Sequence, residues 1–441
     1  MWTKLKRHAA LPVLAGAIAL LAGVGMNTYA MKDNGTFALK DLSGSRDALD
    51  DVAIVGRLED GYHRTSFRLA QGQISASTDL FRQPQQVDSY RYAAGMDKRI
   101  GDWQYQVGGI GPYDITSYKR KDGGSYFEPV GVAGVSPSIS DRNPGDNTAT
   151  YANVVEYGLA KVGDKVFFTV PVSSDYTGTS GIYELSFAEW GTAAWVSREW
   201  PDSRKIADIS LEANESPEPP NIEVLGLEAV GDKLALLSVE GGGLVVRGYD
   251  SGSGELLGEA FVPNFRLPNR AEAGSAAEDS YSEPYEAFSD PDSDVLSLVF
   301  RSRTSERPLL LSLDFSNGVR IVHQMNADFS ADGKEGFDEF TYLSYRNDKL
   351  YVLKSFREPP GDGAALSYDN LLPQHLYVYV FKQSKLLYKG EIVSDLNDDN
   401  IEAIHRRTSS AGSYNYDQMN FRRWTNLTVE PLSAEGGNAN D

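Results

Sequence analysis

The chain has 441 residues, of which 41 % are hydrophobic and 11 % aromatic, enough apolar area for a sizeable folded core. Its 42 Lys and Arg stand against 62 Asp and Glu, a net charge of −20, and the resulting repulsion argues against nucleic acid as a partner and against anionic membrane surfaces. There is no cysteine, which excludes disulfides, thiolate metal sites and cysteine nucleophiles.

The N-terminus opens with a short basic stretch, Met1-Trp2-Thr3-Lys4-Leu5-Lys6-Arg7-His8, and then runs from Ala9 to Met26 without a charge. Export machinery reads this pattern, keeping the positive end in the cytoplasm and placing the rest of the chain outside. At 18 residues the run exceeds the ~7–15 of an ordinary signal-peptide core and reaches the ~18 at which a membrane span begins. Thr28-Tyr29-Ala30 offers small residues where a signal peptidase cuts. Residues 1–30 are therefore expected to be a signal anchor or a signal peptide. The protein is then single-pass in the cell membrane with its C-terminal domain outside, or secreted after cleavage behind Ala30. Residues 31–46 are expected as a short stalk, and membrane contact is expected through the N-terminal helix only.

Beyond the stalk the chain repeats itself. Gly158-Leu159-Ala160-Lys161-Val162-Gly163-Asp164-Lys165-Val166 is matched by Gly226-Leu227-Glu228-Ala229-Val230-Gly231-Asp232-Lys233-Leu234. A third copy is Asn347-Asp348-Lys349-Leu350, with weaker ones at Gly101-Asp102 and Ser293-Asp294 and an earlier candidate at Asp51. From Asp102 to Asp348 the anchors recur every 54 to 68 residues. Around each, short β-branched and aromatic runs alternate with Gly, Asp, Asn and Ser turns, the pattern of antiparallel strands joined by hairpins. Third and fourth runs come after these, as in Leu244 to Tyr249 and Glu255 to Gly258, or Leu376 to Phe381 and Lys385 to Tyr388. Helical periodicity is hard to find outside the N-terminal segment.

Four strands per unit, repeated, predict an all-β body of six to seven units over residues 47–432, followed by a frayed tail at 433–441. Such units cannot bury both faces alone and must pack on one another. The pattern resembles the β-propeller architecture of bacterial extracytoplasmic repeat proteins. The resemblance is to a fold and not to a named family, and it implies four-stranded blades around a channel, with function in the loops between the repeated phrases. Asn214 to Pro220, Ala271 to Asp294 and Arg357 to Gly363 are the irregular, Pro-rich or acidic excursions.

Chemical signatures are sparse. Walker loops, His-Glu-x-x-His helices and Gly-x-Ser-x-Gly elbows are all absent. Four histidines remain outside the leader, His63, His323, His375 and His405, and they are far apart in sequence. The best metal-like spacing is Asp395, Asn397 and Asp399, whose oxygens alternate as at the start of a calcium loop. Asn400 replaces the glycine such a loop needs, and Arg406 stands where its bidentate glutamate belongs, so a solvated Asx-rich turn competes with calcium there. No catalytic residue and no other cofactor is assigned. Tyrosine occurs 24 times, with local clusters at Tyr90-Arg91-Tyr92 and Tyr414-Asn415-Tyr416. The functional expectation is a binding or sensing module for a protein or cell-envelope ligand. The alternative is a polysaccharide hydrolase or lyase with carboxylates in the propeller channel.

Overall fold

The computed structural model describes residues 14, 16–22, 35–83, 96–109, 112–121, 126–141, 154–173, 175–192, 200–211, 222–267, 280–290, 293–303, 307–329, 338–357, 374–396 and 422–432. Residues 14 and 16–22 are helical, and no helix among the described residues is long and apolar enough to cross a membrane. Nearly all other regular structure is β-strand.

The first strand, β1 (Phe37–Gly44), is followed by the meander β2 (Val52–Glu59), β3 (His63–Ala70) and β4 (Gln73–Leu80). Next come β5 (Lys98–Ile100), β6 (Trp103–Gly108), β7 (Tyr113–Arg120), β8 (Phe127–Val135) and the short β9 (Ser138–Asp141). The third group is β10 (Leu159–Val162), β11 (Lys165–Phe168), β12 (Tyr176–Glu184), β13 (Ala188–Glu189) and β14 (Arg204–Ser210). The fourth is β15 (Glu223–Val230), β16 (Lys233–Glu240), β17 (Gly243–Asp250) and β18 (Leu256–Pro263). The fifth is β19 (Tyr281–Asp290), β20 (Val295–Ser302), β21 (Leu309–Asp314) and β22 (Arg320–Asn326). Last come β23 (Asp338–Arg346), β24 (Lys349–Arg357), β25 (Gln374–Lys382), β26 (Lys385–Ser394) and β27 (Arg423–Pro431).

These strands build six antiparallel sheets of four or five strands. The second to fifth sheets follow chain order, apart from β13, which joins β8, and β9, which joins β12. The first and sixth sheets exchange strands. β27, at the C-terminal end, pairs with β2 to complete the first sheet, and β1, at the N-terminal end, pairs with β26 to extend the sixth. Residues 37–44, expected in a stalk, are therefore a strand. Only Leu39 of that strand is buried, and so polar an outer strand carries little hydrophobic signature. β19 likewise lies inside the stretch read as an acidic excursion. Its residues 282–284, including Pro284, bulge out of register with β20 and break the alternation that would have marked it.

The repeated phrase sits at one place in the architecture. Gly101-Asp102, Gly163-Asp164, Gly231-Asp232 and Asn347-Asp348 are the two-residue turns between the first and second strands of their sheets. Gly231 holds φ +58°, and Asn347 and Asp348 hold φ +50° and +58°, left-handed conformations that Gly, Asn and Asp reach at least cost. Asp294 ends a longer connection, and Asp51 precedes β2, whose first-strand partner is β27.

From the second sheet to the sixth, each sheet buries a face against the next, and the sixth against the first. One apolar cluster joins the second, third and fourth sheets through Tyr113, Ile115, Phe168 and Leu236, and another joins the fourth and fifth through Leu237, Val246, Leu298 and Leu311. A third joins the fifth and sixth through Val299, Leu310, Leu350 and Val352, and a fourth joins the sixth and first through Val378, Tyr388, Ile54 and Val429. Along one side β10 lies against β15, β15 against β19, β19 against β23 and β23 against β27, so first strands are neighbours in succession. Among the described residues no apolar cluster joins the first sheet to the second.

Candidate functional site

The first sheet shows why that junction differs. Side chains of adjacent residues on a strand point to opposite faces. On one face β2 presents Ile54 and Leu58, β3 presents Phe67 and Leu69, and β27 presents Trp424 and Val429, all buried against the sixth sheet. On the other face β2 presents Val55, Arg57 and Glu59, β3 presents Arg64, Ser66 and Arg68, and β4 presents Ser75, Ser77 and Asp79. The second sheet does the same in mirror image. Tyr105, Tyr113 and Ile115 face the third sheet, while Gln104, Gln106 and Tyr118 lie on the opposite face, where Tyr118 Oη donates to Gln106 at 3.0 Å. Among the described residues, no apolar cluster covers the polar face of the first sheet.

The polar face of the first sheet carries a cavity of about 480 Å³, within the ~300–1,000 Å³ range of small-ligand sites. Its walls include Arg57, Arg68, Ser66, Ser75, Ser77 and Asn426. Arg57 is directly opposite Ser66 on β3 and Thr425 on β27, and Ser66 is opposite Ser77 on β4. The ion pairs on either side are closed. Arg68 donates to Glu430 at 2.7 Å, and Arg64 donates to Glu59 at 2.8 Å, whose other oxygen accepts from Thr425 Oγ1 at 2.5 Å. Arg57 lies between these pairs, partly buried, and has no hydrogen-bond or ion-pair partner among the described residues.

Local backbone geometry shapes this wall. β27 carries Asn426 and Leu427 opposite the single residue Gly56, a bulge that puts Asn426 in the left-handed region at φ +49°. A Cβ on Gly56 would lie 2.5 Å from Leu427 Cδ2 and 2.9 Å from the Phe67 ring, so only glycine lets the bulge close onto the apolar face. Bulges between first and second strands recur in the fourth, fifth and sixth sheets.

At the end of β2 lies a second polar cluster. Asp60 is buried, accepts from the backbone amides of Tyr62 and His63 at 2.7 and 2.8 Å, contacts His63 Nδ1 at 2.9 Å and pairs with buried Arg422 at 3.3 Å. Burial alone would raise the Asp60 carboxyl. The hydrogen bonds from His63 and the Tyr62 amide, with the charges of His63 and Arg422, outweigh it and hold the group below the usual carboxylate range. A third cluster links the first strands. Lys98 Nζ donates to the Leu159 carbonyl at 2.6 Å and lies 3.7 Å from Glu228, which accepts from Tyr285 Oη at 2.8 Å, while Tyr157 Oη donates to the Tyr285 carbonyl at 3.2 Å. Glu228 is the one carboxylate in this group and it is neutralised, so the cluster ties four successive sheets together and offers no acid and base pair.

Of the residues read as a calcium-loop start, Asp395 accepts the backbone N–H of Thr36 at 2.8 Å, while Asn397 and Asp399 lie outside the described residues. No group of three or more His, Asp or Glu side chains placed to hold a metal occurs among the described residues. His63 contacts Asp60, His375 Nδ1 lies 2.6 Å from Glu391, and His323 is buried in β22, so these three do not converge; His405 lies outside the described residues, as do the Tyr90 to Tyr92 and Tyr414 to Tyr416 clusters. Arg57 does not stand out in the sequence. Its signal is the alternation, since three successive strands carry charged residues or serine at all but one of the nine positions from Val55 to Glu59, Arg64 to Arg68 and Ser75 to Asp79 on one face, Val55 being the exception.

No family model matches the chain, and no curated protein matches it. Among solved structures, a study of two prolyl endopeptidases supplies a chain 12 % identical, with 78 % of this chain and 42 % of that one covered and a TM-score of 0.30. The WD40 domain of SCAP from fission yeast is 11 % identical, with 76 % and 74 % covered and a TM-score of 0.30. A protein from Lactobacillus plantarum is 10 % identical, with 78 % and 99 % covered and a TM-score of 0.22. The chain thus spans less than half of the endopeptidase chain, and likenesses this low bring no activity to it.

Proposed function

We propose that the six sheets are the blades of a β-propeller, carried outside the cytoplasmic membrane by the N-terminal segment, and that the domain is a non-enzymatic binding module for a protein or cell-envelope ligand. The observation that carries the reading is the cavity on the first sheet, where Arg57, without a partner among the described residues, stands beside the hydroxyls of Ser66, Ser75 and Ser77 on a face that no described apolar cluster covers. Leaving a partly buried cation unpaired costs stability, and such departures from the best-packed solution concentrate where a ligand supplies the missing partner. The successive first strands and the turns that recur from sheet to sheet support the propeller. The basic start and the apolar run from Ala9 to Met26 support export.

Binding is tested by incubating the full chain with labelled cell-wall polysaccharide and envelope protein fractions, and measuring saturable retention together with release of new ends. Retention without turnover, abolished by Ser66→Trp in a variant that still unfolds cooperatively, is the expected result. Steady turnover, or retention indifferent to the filled cavity, sinks the reading. Membrane fractionation with N-terminal sequencing checks the tether, which a mature chain beginning at Met31 would rule out.

A further inference from the structure

Resting on the reading of this cavity as a binding site, we propose that it recognises the carboxylate of an acidic, polyhydroxylated ligand, a uronate-bearing oligosaccharide. The composition and size of the cavity set that chemistry. A guanidinium presents a planar fork of N–H donors that matches a carboxylate with two parallel hydrogen bonds, and Arg57 is the cation of this face whose donors no described residue occupies. Arg68, the other cation of the cavity, is engaged by Glu430. It adds positive potential without competing for the same anion.

Around Arg57 the lining sets hydroxyl and amide groups beside the small apolar side chains of Val55 and Ala76. Ser66, Ser75 and Ser77 lie in facing positions on β3 and β4, and Asn426 enters from the bulge of β27. Such groups both donate and accept, as sugar hydroxyls do. The ring that reaches the cavity wall, Phe67, is 3 % exposed and turned into the apolar core, where it stacks on Phe37, so it gives no platform for an apolar ligand. A cavity of about 480 Å³ takes a few sugar units and not a folded domain. Finally, the protein as a whole carries −20, so a local cationic site on this face sorts anions by contact and not by general attraction.

The experiment is calorimetric titration of the full chain at low salt with three probes, a uronic-acid trimer, the neutral hexose trimer of the same linkage, and inorganic phosphate. The uronate is expected to bind with the neutral trimer at least tenfold weaker. Arg57→Ala is expected to lose tenfold or more, Arg57→Lys less, and both are expected to keep the unfolding temperature of the parent or exceed it, because no folded partner is lost. Equal binding of the neutral trimer with an unaffected Arg57→Ala overturns the acidic assignment and leaves the binding reading in place. Phosphate displacing the uronate at equal concentration overturns the saccharide assignment, since the site then reads any anion. Absence of binding by all three probes overturns it as well. Shortening of the trimer would overturn the non-enzymatic reading instead, and the carboxylate assignment would then be decided by the same Arg57→Ala comparison read in KM.

Discussion

His323 shows how a single residue departs from the rule that buried polar atoms find partners. It is 7 % exposed on β22, its Nε2 has no hydrogen bond, and burial holds its pKa below the ordinary value of 6.5. The folded protein therefore keeps it neutral while the unfolded chain takes up a proton below pH 6.5. The unfolded state then binds more protons, so this contribution to stability is complete above pH 6.5 and is lost as the pH falls from there towards the folded value, at up to ~1.4 kcal/mol per pH unit. Thermal unfolding from pH 7.5 to 5 is expected to show this slope in the parent, and His323→Leu is expected to flatten it. A variant with an unchanged slope would place the proton uptake elsewhere. Gly56 is the matching case for packing. Adding a methyl between Leu427 and Phe67 is expected to destabilise Gly56→Ala by roughly 1–3 kcal/mol in chemical denaturation, and to weaken binding at the cavity, because the bulge that carries Asn426 must shift.

Among the elements, the hairpins between first and second strands do more than turn the chain. The lysine just after the turn reaches the next sheet. Lys233 of the fourth sheet pairs with Asp294 of the fifth at 2.9 Å, and Lys349 of the sixth pairs with Asp51 of the first at 2.9 Å. Lys165 of the third instead pairs within its own sheet, with Glu184 at 3.1 Å. Asp51 also accepts from Tyr351 Oη at 2.7 Å and Asn347 Nδ2 at 3.0 Å. Burial would raise its carboxyl, but these hydrogen bonds together with that of Lys349 hold it below the usual value. Its stabilising effect is present above the unfolded pKa of 3.8 and is lost as the pH falls through the lower folded value. Asp51→Ala leaves the Tyr351 hydroxyl without its acceptor and is expected to cost about 1–3 kcal/mol at pH 7, with a smaller difference from the parent near pH 3, both read by denaturant titration. These turns were legible in the sequence because a two-residue hairpin demands Gly, Asn or Asp at left-handed positions, a purely local requirement. First strands were harder to see. β19 carries Pro284 in a bulge, and its alternation breaks where the chain leaves register.

For the molecule as a whole, strand composition and repeated turns foretold a succession of six to seven four-stranded units, of which six sheets are described, whereas the exchange between the first and sixth sheets had no local trace. Nothing in Arg423 to Pro431 says that it belongs beside Val52 to Glu59 rather than after β26 as one more hairpin, because that choice is made by Trp424, Leu427 and Val429 filling the same cluster as Ile54 and Tyr388. The candidate site was hidden for the same reason. A polar face on three strands looks like ordinary solvent exposure, and only the pairing of β27 with β2 brings Asn426 and its bulge to the wall of the cavity. Ending the chain at residue 421 is expected to remove those three apolar side chains and expose the edge of β2, giving a protein that elutes as aggregate ahead of the full-length parent.

The pairing of β2 with β27 also fixes an order in time. β2 is synthesised well before its inner partner β27, so the first sheet must wait, half-built, until the strands of the other five have been produced. Contacts separated by so much chain form slowly, and an edge left open meanwhile invites pairing with other molecules. The sheet that opens the succession is therefore the one whose maturation waits for the segment that closes it.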